Sequence, residues 1–223
     1  MTRKQRMQKF TKQVSASAEL TDTGGFRGYA ARFLNIDRQN DMILPGAFTK
    51  ALPEFVDSGG LVLADHKNQT GAIIGTLIDA REDMNGLMVD VQFSATKTGQ
   101  EVRQLMNEGA LRKMSIGFYG KSRPYTEKEL QSLWASYGMM PNERQKAMAK
   151  RGAKVITDVS EILEVSVVPI PANPDATILA VKSIDEHGQI EETPSKAVAV
   201  APRVDLKALI ARAQLADKVL SRF

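Results

Sequence analysis

Cysteine is absent from this 223-residue sequence, tryptophan occurs once and histidine twice. Without cysteine there can be no disulfide, no thiolate metal site and no cysteine nucleophile. The two histidines, His66 and His187, are far apart and lack a flanking acidic pattern, so they offer no metal centre. No run approaches the roughly 18 uninterrupted apolar residues of a membrane-spanning helix. The opening MTRKQRMQKFTKQ has no apolar stretch of the secretory kind. The expectation is a soluble cytoplasmic chain with no membrane partner, whose chemistry rests on hydroxyls, carboxylates, lysines or one histidine.

What is present suits one domain with appendages: 43% of the residues are hydrophobic, enough to bury a core. The net charge of +4 is mild, and much of the excess sits in Arg3, Lys4, Arg6, Lys9 and Lys12. Residues 1–14 therefore read as a basic solvated arm, and no specific nucleic-acid partner is expected. Residues 15–181 form the main domain. Within it, 121–153 is charged and helix-prone, with Thr126 and Glu129 spaced as a capping box, and reads as a helical insertion or cover. Residues 182–223 turn to a linker composition followed by an amphipathic helix.

Along the domain, GFRGYAARF at 25–33 reads as a strand, and PGAFTKALPEFV at 45–56 as a short helix interrupted near Pro53. LVLADH, AIIGTLIDARED and NGLMVDVQFSA follow as strands, the last two joined by a turn at Asn85-Gly86. A helix is predicted from Thr98, capped with Glu101, to Glu108, with Gly109 as its stop. In LRKMSIGFYG, Met114, Ile116 and Phe118 alternate with Ser115, Gly117 and Tyr119. In VSEILEVSVV, Val159, Leu163, Val165 and Val167 share one face, and Ser160, Ile162, Glu164 and Ser166 the other. The fold expected is mainly β with helices: a closed antiparallel barrel of about six to seven strands decorated by helices.

On this reading Ser115 and Glu164 point away from the core, and His66 ends the LVLAD strand. The three supply a hydroxyl, an acid and a base. A serine hydroxyl needs a neutral imidazole to take its proton, and a carboxylate on the other ring nitrogen fixes the tautomer. His187, in the polar stretch DEHGQ, is no rival base. Arg112 and Lys113 beside Ser115 offer charge for a peptide or an oxyanion, the solvated reading being the plainer one. The glycines of TGAIIG lack the lysine and hydroxyl that a phosphate loop requires.

The order of motifs carries a resemblance. GFRGYAARF, DRQNDMILPGAF, LVLADH, IIGTL, NGLMVDVQF, GALRKMSIGF and LEVSVVPIPANPDA, from about Gly25 to Ala176, resemble the prohead serine proteases of tailed bacteriophages. That resemblance implies the barrel of the herpesvirus assemblins, with His66 as general base and Ser115 as nucleophile. Assemblins use a second histidine as the third member; none stands here, which leaves Glu164 or Glu161. Glu164 is favoured because Glu161 is expected to point into the core. The resemblance further implies cleavage of the major capsid protein, its scaffold segment and the protease itself inside a procapsid assembling in the host cytoplasm. It also allows a homo-oligomer and implies no cofactor. The tail beyond Lys182 is expected to be cut by the protease or to tether it. The alternative function is a non-catalytic scaffold or capsid-binding assembly protein.

Overall fold

The computed structural model describes residues 24–184 and 190–194, with side chains through Lys182. The basic arm at 1–14, His187 and the predicted terminal helix lie outside the described residues.

Nine strands form one sheet: Gly25–Arg32 (β1), Asp41–Ile43 (β2), Leu61–Ala64 (β3), Ile73–Glu82 (β4), Gly86–Phe93 (β5), Lys113–Tyr125 (β6), Ala153–Val168 (β7), Ile178–Ile184 (β8) and Ile190–Pro194 (β9). Four α-helices accompany them among the described residues: Leu52–Asp57 (α1), Lys97–Asn107 (α2), Glu127–Ser136 (α3) and Glu143–Ala149 (α4). β7 organises the site end of the sheet, because its 16 residues are long enough to serve three partners. β2 joins it in parallel near its start, β3 in parallel near its end, and β6 runs antiparallel along its other edge. From β3 the sheet continues through β4, β5, β1 and β8 to β9. The β8–β9 hairpin extends into the stretch read from composition as linker.

Two features of the expected barrel are corrected. The sheet is mixed rather than wholly antiparallel, and it is an open half-barrel rather than a closed one. Among the described residues the outer edge of β6 meets its neighbours at one end, through a bridge between Lys113 and Thr177 and bonds from the Ile178 N–H to the Arg112 carbonyl and from the Met114 N–H to the Ala176 carbonyl. Beyond that point aromatic packing takes over from the hydrogen-bond ladder. Phe48, from the turn after β2, lies 6.2 Å from the Phe33 ring that follows β1 and 5.8 Å from the Phe118 ring of β6. Phe48 is fully buried in the core.

Local chemistry explains the remaining departures. Pro53 does not interrupt a helix over 45–56; that segment is turns up to Ala51, and Pro53 sits in the first turn of α1, where a missing N–H is harmless. The cap of α2 is Thr96, which accepts from the Gly99 N–H, while the Thr98 hydroxyl donates to the Gly71 carbonyl. Gly109, at φ +77°, ends the chain's helical run as expected. The Thr126/Glu129 capping box opens α3. The Asn85-Gly86 turn is present, with Asp83 accepting from both N–H groups.

Residues 121–125 continue β6, and α3 and α4 then fold over the segment after β1. The Trp134 indole donates to the Leu34 carbonyl at 2.7 Å, and the Gln145 amide pairs with both backbone groups of Ile36.

The face assignment of β7 also changes. Register shifts against β6 leave Leu163 unopposed between Ile162 and Glu164. Leu163, expected in the core, is 40% exposed, and Ile162 takes the core position. The same irregularity leaves Glu161 exposed rather than buried.

Candidate active site

Directly opposed residues of an antiparallel pair project to the same side. Ser115 opposes Ser166 and Gly117 opposes Glu164. Met114, Val165 and Val167 are buried in the core on the other side, so these four residues form a small polar patch on the sheet's outer face. The patch is enclosed: Ser115 is 7%, Glu164 8% and Ser166 0% exposed.

His66 reaches this patch from the far side of β7. β3 runs beside β7 with Leu63 opposite Ser166 and Ala64 opposite Val167. The chain then turns through Asp65 and His66, both left-handed at φ +57° and +56°. This conformation is uncommon for residues with a Cβ. Two hydrogen bonds hold the turn to β7: the Asp65 N–H donates to the Val167 carbonyl, and the His66 N–H to Ser166 Oγ at 3.2 Å. The imidazole lies over Glu164, with Nδ1 2.7 Å from Oε1. Ser166 Oγ donates to the other carboxylate oxygen, Oε2.

A carboxylate only accepts, so with Nδ1 donating to Glu164 the neutral form of the imidazole has its lone pair on Nε2. The hydrogen bond to Glu164 raises the His66 pKa above its ordinary value; partial burial works against this, and the charges of Glu164 and Asp65 add to it. The imidazole is therefore oriented and made more basic by the same group, as a general base requires.

Of the residues singled out from sequence, Glu164 and His66 are in direct contact, and Ser115 stands on the strand beside Glu164, across from Ser166. Glu161 lies beyond the irregularity in β7, opposite Tyr119. The charges next to Ser115 have protein partners: the Lys113 ammonium donates to the Pro174 carbonyl and the Arg112 guanidinium to the Gly109 carbonyl. Sequence reasoning passed over Ser166. Its place two residues after Glu164, on the face already assigned to Ser115, was the available signal. Beside Ser115, between the open edge of β6 and β1, is a pocket whose lining includes Ala31, Asp41, Ile116, Phe118 and Asn173.

The family model described as the caudovirus prohead serine protease matches residues 12–190. The prohead protease of Enterobacteria phage HK97 is 30% identical over 163 residues, which is 73% of this chain and 62% of that relative, so the match spans less than two thirds of the relative's length. Among solved structures, the bacteriophage T4 capsid assembly protease aligns with a TM-score of 0.45 at 10% identity, over 64% of this chain and 79% of that one. The protease of KSHV, solved with a hexapeptide phosphonate inhibitor, aligns with a TM-score of 0.38 at 11% identity, over 87% of this chain and 88% of that one. The family match extends over most of the sequence and includes every strand carrying the Ser115, His66 and Glu164 patch: the chain belongs to the caudovirus prohead serine protease family.

Proposed function

We propose that the chain is a serine endopeptidase of phage capsid maturation, with Ser115 as nucleophile, His66 as general base and Glu164 as the acid that orients it. The observation that carries this reading is the 2.7 Å contact between His66 Nδ1 and Glu164, on the sheet face that also bears Ser115.

In the proposed reaction Ser115 Oγ attacks the scissile carbonyl while its proton passes to His66 Nε2. The imidazolium is stabilised by Glu164 and returns the proton to the leaving amine. Water then repeats the sequence on the acyl-enzyme, regenerating the hydroxyl. Family membership supports the major capsid protein and its scaffold segment as substrates, the chain itself as a further one, and the interior of the procapsid as the place of action.

The test is co-expression of the chain with its phage's capsid protein. The parent chain is expected to produce a shortened capsid protein, and Ser115→Ala and His66→Ala are expected to leave it at full length. Parental processing by a folded Ser115→Ala variant refutes the proposal. Mass spectrometry of the two purified chains tests self-cleavage: identical termini would exclude it.

A further inference from the structure

The Glu164 side chain lies over β6, and the residue beneath it is a glycine, Gly117. A Cβ built at Gly117 would stand 2.5 Å from Glu164 Oε1, and its next contacts are with the same side chain. Oε1 is the oxygen that meets His66 Nδ1. Ser166 restrains the other oxygen, and its single hydroxyl both donates to Oε2 and accepts from the His66 backbone N–H.

We infer that Gly117 and Ser166 are positioning residues of this protease: the bare backbone at Gly117 makes room for the Glu164 carboxylate, and the Ser166 hydroxyl locks it against His66. The inference rests on the functional reading above. Neither residue touches the reacting atoms. Ser166 is fully buried and its hydrogen is committed to Glu164, so it does not compete with Ser115 as nucleophile.

The two positions act through different mechanisms, which makes the idea testable. Gly117 is not in the left-handed region, and the only close neighbour of an added methyl is the end of a flexible side chain. Gly117→Ala should therefore fold normally and displace only the carboxylate. Ser166→Ala removes the hydroxyl, frees Oε2 and loosens the left-handed turn at His66. Asp65, the other charge acting on His66, is unchanged in both variants.

The experiment uses the full chain. It measures the rate at which a fluorophosphonate probe labels Ser115 across pH, together with the NMR titration of the His66 ring, which is tractable with two histidines in the sequence. In Gly117→Ala the melting temperature should stay near the parent's, labelling should slow by about 100-fold, as misplaced catalytic groups do, and the His66 titration should fall toward the ordinary 6.5. Ser166→Ala should move both readouts the same way, and Ser166→Thr, which keeps the hydroxyl, should restore them.

Folded Gly117→Ala protein that labels at the parental rate, or labels slowly with the parental His66 titration, overturns the role of Gly117. Failure of Ser166→Thr to restore a loss seen in Ser166→Ala overturns that of Ser166. A Ser115→Ala control that still takes up the probe at the parental rate would instead refute the underlying reading, so the two failures are distinguishable.

Discussion

Glu164→Gln isolates the charge of the proposed acid, because it keeps the side chain's shape. When His66 takes a proton, its charge and the carboxylate's lie about 4 Å apart, worth about 4 kcal/mol at an effective dielectric near 20. The His66 side chain is 43% exposed, and solvent screening roughly halves that figure. A loss of about 2 kcal/mol in the transition state corresponds to about 30-fold in rate. The hydrogen-bond pattern deepens the loss. Glu164 accepts at both oxygens, from His66 and from Ser166, whereas an amide accepts at only one. If its NH2 faces Nδ1, the imidazole must carry its hydrogen on Nε2 and cannot take the serine proton. The equivalent change in Ser-His-Asp enzymes lowers the rate by about 10⁴-fold. The expected slowing therefore lies between about 30-fold and 10⁴-fold, measured by fluorophosphonate labelling and by capsid-protein cleavage, with far-ultraviolet circular dichroism as the fold control. A folded variant within about threefold of the parent would refute the assignment of Glu164 and the electrostatic argument with it.

Three further outcomes are expected. Activity should rise with pH along a limb whose midpoint lies above 6.5, because Glu164 holds the His66 pKa up and the base works only when neutral; a pH-rate profile with a limb at or below 6.5 contradicts this. Over the same window the pair's contribution to folding, full at pH below the ordinary histidine value, is lost as the pH rises through the raised one. Phe48→Ala should destabilise the domain by about 3–5 kcal/mol in urea unfolding, since it removes the fully buried ring wedged between Phe33 and Phe118; a loss under about 1 kcal/mol would refute that role. Burial pushes the Asp90 carboxyl up, but hydrogen bonds from Lys182 and Arg27 outweigh it and hold the pKa below the ordinary value. Its stabilisation should thus be present above about pH 4 and lost as the pH falls through the lowered value. Asp90→Asn removes the charge those two cations face and should cost about 1.5–3 kcal/mol near neutrality, and thermal melts from pH 2 to 7 read both effects.

The strands were legible wherever one face is apolar and the other polar, as in β5, and wherever turn chemistry is local, as at Asn85-Gly86. Glu164 and Ser115 were placed on a common outer face by the same alternation. What alternation misses is an inserted residue. The unopposed Leu163 reverses the phase of β7, so Leu163 and Glu161 were both assigned to the wrong environment, and the preference for Glu164 over Glu161 rested partly on a burial that does not occur. Closure of the barrel was illegible for another reason: how β6 meets the rest of the sheet depends on contacts between residues far apart in sequence, such as Lys113 with Thr177. Thr98 made a plausible cap by spacing, but Thr96 starts the helix two residues earlier. Alternation puts Ser166 on the face of Glu164 but gives it no role, because its importance comes from what it touches, the Glu164 carboxylate and the His66 N–H.

Asp65 and His66 adopt backbone angles that glycine accepts freely, and the penalty for a residue with a Cβ is about 1–2 kcal/mol. Selection for heat survival alone should therefore enrich glycine at position 65. Position 66 cannot follow without discarding the imidazole. A library screened first for thermal endurance and then for capsid processing would separate the two demands: the first round would relax this corner of the chain, and the second would reveal how much of its stiffness the chemistry requires.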